Sequence, residues 1–146
     1  MTQASVTLVD GMQFVVETES GHSFVVDGTP DVGGRDSGPR PFELLAAGLA
    51  GCTAMDTISI LRKMQQKVTG LKVNVRGDRA TEHPKKFLSI HIEYTVVGYD
   101  MAEDRVARAI ELSETKYCPA MASLRPGAPI TSSFAILDAN EETMKK

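Results

Sequence analysis

Hydrophobic and polar positions along the chain change period several times, and each change marks an element. Val6 and Leu8 alternate with small or polar neighbours, and Asp10-Gly11 is a two-residue hairpin signal. Residues 12–18 continue as a second strand, Glu19-Ser20-Gly21 supplies a turn, and residues 22–27 form a third strand. Residues 4–27 therefore predict an antiparallel three-stranded meander, with His22 a solvated strand-end residue. Gly28 to Arg40 gathers glycine, proline and aspartate and predicts a loop without secondary structure. At 13 residues it is longer than most connections, and such loops are often functional or mobile.

From Pro41 the pattern becomes helical. Pro41 suits a first helical turn, no second proline follows until Pro84, and good helix formers dominate, so a central helix is expected over 41–67. No charged side chain stands between Leu44 and Met55, and a helix apolar all round is expected to be buried on every side. That run of 12 residues is shorter than the ~20 needed to span a bilayer. Gly48 and Gly51 each cost roughly 1 kcal/mol of helix stability relative to alanine. With Ala46, Ala47 and Ala50 they make a surface that another backbone can approach closely, and Cys52 lies within it.

Val68-Thr69-Gly70 reads as the stop of that helix. Two strands follow within 71–97. Residues 71–77 alternate strictly, and residues 87–97 place Leu88, Ile90, Ile92, Tyr94 and Val96 on one face. Ser89, His91, Glu93 and Thr95 fall on the other, which makes His91 a surface residue without a catalytic part. Asp100-Met101-Ala102-Glu103 has the form of a capping box with Asp100 as the cap, opening helices over 101–124. A last strand covers 130–137, before a charged tail expected to fray. Three strands, a long helix, two strands, two helices and a strand in one domain make an α+β fold.

Composition excludes several classes of function. The 146 residues are 42% hydrophobic and 24% charged, as in an ordinary globule. A net charge of −3 and a pI near 5.6 give no nucleic-acid surface. No membrane association is expected. The first ten residues show no basic segment followed by an apolar one, so a cytoplasmic protein is expected. The two cysteines, 66 positions apart, form neither a zinc spacing nor a CxxC, and neither metal nor cofactor is expected. In a reducing compartment a permanent disulfide is not expected, which leaves reversible redox chemistry open.

Cys118, immediately before Pro119, can sit at a helix N-terminus where N–H groups favour a thiolate. On residue types it is the easier cysteine to activate. Cys52, in mid-helix, needs a neighbouring cation, and Asp56 at i+4 on the same face would raise its pKa. The bland alternative is that both are small buried hydrophobes.

The block Pro41-Phe42-Glu43-Leu44-Leu45-Ala46-Ala47-Gly48-Leu49-Ala50-Gly51-Cys52, with Lys116-Tyr117-Cys118-Pro119 downstream, resembles the OsmC/Ohr family. The resemblance covers roughly residues 4–137. It implies an intertwined homodimer with two antiparallel sheets around long central helices, and two active sites at the subunit interface. It further implies that Cys52 attacks an organic hydroperoxide, that Cys118 resolves the sulfenic acid as a disulfide, and that an external thiol or dithiol restores the pair. The peroxidases of the family carry Glu directly after the proline, where this chain has Phe42. Glu43 stands one place later, nine residues from Cys52 and about 180° around an ideal helix. Residues 1–34 contain no arginine, so Arg35 or Arg40 is the expected activating cation and Glu43 an orienting partner. A late Glu and an Asp after the cysteine are closer to a less-characterised OsmC-like branch. The other reading of the same features is a non-catalytic dimer that binds a small apolar ligand in its interface pocket.

Overall fold

The computed structural model describes residues 1–143. Two compact units can be described within it, residues 1–45 and the chain from Ala46 onward.

In the first unit, strands β1 (Ala4–Asp10), β2 (Gln13–Thr18) and β3 (Ser23–Val26) form an antiparallel sheet in that order. Gly11, at φ +56°, makes the first turn. Val16 and Val26 are buried, whereas β1 is exposed along its whole length. The segment from Gly28 to Arg40 is more ordered than its composition suggests. Asp27, only 1% exposed, sits at its root. Its Oδ1 accepts the Gly28 N–H at 2.7 Å, and its Oδ2 accepts the Arg35 N–H at 3.1 Å, the Ser37 N–H at 3.2 Å and the Ser37 hydroxyl at 2.6 Å. A 3-10 turn, Pro30–Val32, fills the middle of the loop. The packing is tight enough to require glycine at two positions. A Cβ on Gly34 would stand 1.9 Å from the Gly28 oxygen, and one on Gly38 2.4 Å from the Val25 oxygen.

Helix α1 (Glu43–Lys63) carries Arg62 and Lys63 in its last turn, where cations suit the helix dipole. Its buried residues are Leu49, Thr53, Thr57 and Leu61, a stripe at spacing four. The expectation of burial on all sides is therefore corrected. Met55 is 74% exposed and Leu45 44%, and Cβ atoms added at Gly48 or Gly51 would meet nothing within 4 Å. The sequence signal was an absence of charge, which says that a face can be buried, not that this chain alone buries it. With 21 residues α1 is long and apolar enough to cross a membrane. Its buried stripe, however, joins the core of a folded domain: Leu49 and Leu61 share one cluster with Ile90, Ile92, Tyr94 and Val96. Burying each leucine side chain is worth roughly 1.5–3 kcal/mol.

The second sheet has the order β4 (Lys67–Arg79), β5 (Phe87–Tyr99), β6 (Ile130–Asp138). Strand β4 starts where the sequence predicted a helix stop. Gln65, at φ +57°, turns the chain out of α1, and a register shift between Val68 and Gly70 absorbs the irregularity. β4 runs antiparallel to β5, but β5 and β6 are parallel, so this sheet is mixed rather than antiparallel as the family resemblance implied. The reason lies in the connection. A parallel neighbour needs a long crossover, and here it contains α2 (Glu103–Leu112), a π-helical turn (Ser113–Tyr117) and α3 (Pro119–Leu124). Ile90, Ile92, Tyr94 and Val96 face the core as expected, whereas Leu88, 52% exposed, lies outside it.

The capping box is not formed. Asp100 adopts φ +48°, the cap position of α2 falls on Ala102, and no side chain caps it. Instead the Ala102 N–H donates to Gln66 Oε1 at 3.0 Å, so a residue just after α1 fixes the start of α2. Residues 139–143, expected to fray, form a short helix, α4 (Ala139–Thr143), and the rest of the charged tail lies outside the described residues.

The Asp27 hydrogen bonds favour the carboxylate, the Ser37 hydroxyl most of all, and hold its pKa down to about 2 from 3.8. A depressed carboxyl pKa stabilises the fold fully above the unfolded value, and that contribution is lost as pH falls from about 4 through 2. Asp27→Asn should accelerate hydrogen exchange at the amides of Gly28, Arg35 and Ser37 and remove this acid-limb dependence. Unchanged exchange at those amides would show that the loop does not depend on the carboxylate.

Candidate functional site

Cys52 and Asp56 stand one turn apart on α1, three residues on from Leu49 and Thr53 of the buried stripe. Both are half-buried, beside the stripe and not within it. Across from them, Cys118 caps the N-terminus of α3, with Pro119 in the first turn, where its missing N–H is harmless. The Cys52 sulfur, the Cys118 sulfur and a carboxylate oxygen of Asp56 all lie within 4.8 Å of one another. Both thiols are free. Two sulfurs 66 residues apart in the chain are thus neighbours, as the family resemblance implied.

Cys118 is buried at 4% exposure and is itself a member of the core cluster. Its sulfur accepts the Met121 N–H at 3.3 Å, the contact by which a helix N-terminus stabilises a thiolate. Burial outweighs that contact. Desolvation, aided by the neighbouring Cys52 sulfur, pushes the Cys118 thiol up to about 11. The thiolate that the helix start was expected to favour at Cys118 is therefore opposed by burial. Sequence showed the helix start but not the apolar cluster that encloses it.

Several polar groups missed by sequence reasoning complete the surroundings. The π-helical turn delivers Ser113 and Glu114 to the site, with the Cys118 N–H closing it onto the Ser113 oxygen at 2.8 Å. Such turns are rare and concentrate at functional sites. The Ser113 hydroxyl donates to Asp56 Oδ2 at 3.4 Å, and the Tyr94 hydroxyl donates to Glu114 Oε1 at 3.0 Å. Tyr94 is 1% exposed, and burial, with the nearby Glu114 charge, raises its pKa well above the ordinary phenol value. The Thr53 hydroxyl donates back to the Leu49 and Ala50 carbonyls at 3.0 and 3.2 Å. Only the inward alternation of β5 hinted at Tyr94. Nothing in the sequence marked Ser113 or Glu114.

The remaining expected site residues lie among residues 1–45. The Arg35 guanidinium pairs with Asp10. Arg40 pairs with Asp36 and donates to the Gly38 oxygen at 2.8 Å, and the Asp36 contact raises its pKa further. Glu43 Oε2 accepts the Arg40 N–H at 2.9 Å, so Glu43 orients the main chain entering α1. Both arginines thus have carboxylate partners within their own unit. His91 bonds to Thr131 at 2.7 Å and Ser133 at 3.1 Å across the parallel strand pair, and His22 bonds to Ser20 at 3.0 Å.

The site is thus a helix-borne cysteine and a helix-capping cysteine brought together in a two-sheet α+β chain. The chain belongs to the OsmC-like protein family, whose profile matches residues 34–133. It is 36% identical over 137 residues to Protein YhfA of Escherichia coli K12, covering 94% of this chain and 99% of that one. Among solved structures it is similar to a hypothetical protein from Aquifex aeolicus VF5, with a TM-score of 0.83 at 27% identity, covering 94% and 97% of the two chains. It also shares its fold with a protein from Legionella pneumophila described as an organic hydroperoxide resistance protein. That likeness has a TM-score of 0.66 at 16% identity and covers 92% and 96% of the chains.

A thiol whose pKa is raised in the folded state leaves stability unchanged below its ordinary pKa of 9.0 and lowers it as pH rises from there to about 11. Alkylation of Cys118 by iodoacetamide should accordingly have its inflection near pH 11 in the native protein and near 9 in urea. A native inflection at 9 would mean that burial does not control this thiol.

Proposed function

We propose that this protein reduces organic hydroperoxides through Cys52 and Cys118. The observation that carries the reading is the approach of the two free sulfurs to within 4.8 Å, inside the reach of a small side-chain movement to a disulfide. Kinship with a family that includes a hydroperoxide resistance protein supports it. The Cys52 thiolate attacks the outer peroxide oxygen, the O–O bond breaks, and the alkoxide leaves as the alcohol with a proton from the medium. Cys52 becomes a sulfenic acid. Cys118 then attacks the Cys52 sulfur, water leaves, and a Cys52–Cys118 disulfide remains. An external thiol or dithiol supplies the two electrons that reopen it, which suits a cytoplasmic protein.

The two thiols divide the labour in the sense that burial allows. Cys52 is the more accessible, as a nucleophile must be, while Cys118 stays protonated until its partner is oxidised. Arg35 or Arg40 supplies the cation that ionises Cys52, exchanging its present carboxylate partner for the thiolate, and Glu43 orients Arg40 through the main-chain contact. The working form is a homodimer. Supporting this, the face of α1 that carries Gly48 and Gly51 is open in the single chain, and Ala46, Ala47 and Ala50 border a hollow of about 410 Å³ against β4.

A second reading is favoured by the same carboxylates. With both arginines paired to acids and Asp56 beside the thiols, the fold would serve as a dimer that binds a small apolar ligand without turnover. Cumene hydroperoxide separates the two. The peroxidase reading requires an intrachain Cys52–Cys118 disulfide by mass spectrometry within one turnover. Cys52→Ser should abolish peroxide consumption, and Cys118→Ser should leave a sulfenic acid that dimedone traps. Slow conversion to sulfonic acid without a disulfide would leave the ligand-binding reading.

A further inference from the structure

The same three side chains have a second chemistry that does not require a peroxide. We propose that reduced Cys52, Cys118 and Asp56 form a binding site for a thiophilic divalent cation of the Zn²⁺ class, with a fourth position left for solvent. Two sulfurs and a carboxylate oxygen lie within 4.8 Å of one another. Tetrahedral Zn²⁺, with bonds of roughly 2.3 Å to sulfur and about 2.0–2.2 Å to oxygen, needs its donors roughly 3.5–3.8 Å apart. The three donors reach that spacing by shifts of about an ångström or less, within side-chain rotation. Cys52 and Asp56 come from consecutive turns of one helix, and Cys118 from the cap position of another.

Supporting hydrogen bonds are already in place. The Ser113 hydroxyl holds Asp56 Oδ2, and the Met121 N–H points at the Cys118 sulfur, the kind of outer contacts that orient metal ligands. Charge also favours a cation. Two thiolates beside a carboxylate carry three negative charges, and a divalent ion neutralises two of them while the displaced thiol protons pass to solvent. Sequence could not show this site, because its ligands are one i,i+4 pair and a third group 62 positions beyond Asp56.

The consequence is competition at the sulfurs. A metal-held Cys52 shares a lone pair with the cation and is a weaker nucleophile, and a disulfide offers no thiolate to the metal, so occupancy would slow the reduced protein.

Co²⁺ alone, titrated anaerobically into the reduced full-length protein, tests this without any peroxide, so the result stands or falls separately from the peroxidase reading. The expected result is a thiolate-to-cobalt charge-transfer band saturating at one equivalent per chain and displaced by Zn²⁺. Asp56→Asn should weaken Co²⁺ binding by at least the ~10–100-fold that loss of a supporting group produces. Cys118→Ser should weaken Co²⁺ binding and lower the intensity of the band per bound ion, and because that change lies in the core its fold is checked by circular dichroism. Asp56→Asn, at a half-buried position, gives a test should Cys118→Ser misfold. Absence of the band in the wild-type protein, or equal affinity in Asp56→Asn, would overturn the proposal.

Discussion

The burial of one narrow stripe of α1 sets the geometry on which the rest depends. Leu49, Thr53, Thr57 and Leu61 recur every fourth residue and enter the core, which fixes the rotation of the helix about its axis. Once that rotation is fixed, Cys52 and Asp56 are held at the margin of the core instead of inside it. Cys118 reaches the same margin from the other side by membership in the apolar cluster. The stripe is not wholly comfortable. Thr57, fully buried, has no hydrogen-bond partner for its hydroxyl among the described residues, and such a group costs about 1–3 kcal/mol.

At the sulfur pair two electrostatic effects oppose each other. The first turn of α3 offers Cys118 an N–H donor, and the surrounding apolar side chains withhold water from it. Withheld water prevails, because the backbone donors at the helix start do not replace the hydration of a thiolate. The outcome is an asymmetric pair, with a sheltered protonated sulfur next to a more accessible one. Polar groups from the π-helical turn border the site, Ser113 bonded to Asp56 and Glu114 to Tyr94. A wider helical turn at 113–117 changes which residues face inward, and this is how a serine and a glutamate come to border an otherwise apolar cluster.

The N-terminal unit is organised by a different charge. Its loop wraps the Asp27 carboxylate with three backbone N–H groups and one hydroxyl, and Gly34 and Gly38 permit main-chain approaches that no side chain would allow. A segment rich in glycine, proline and aspartate therefore has a defined path. Its two arginines are held by acids of the same unit, Asp10 for Arg35 and Asp36 for Arg40.

Period and punctuation in the sequence determined the order and type of nearly every element: the meander, the central helix, the alternating strands and the two short helices. They also singled out Cys52 and Cys118, whose sulfurs the fold brings together. Features that depend on distant partners were not legible. The parallel pairing of β5 and β6, Gln66 in place of the Asp100 cap, the four buried residues of α1, and the Asp27-centred loop all required contacts between remote segments. The raised pKa of Cys118 was not legible for the same reason. A helix start is local and can be read from Cys118-Pro119, but desolvation is set by everything that packs around a sulfur, and only the tertiary structure decides that.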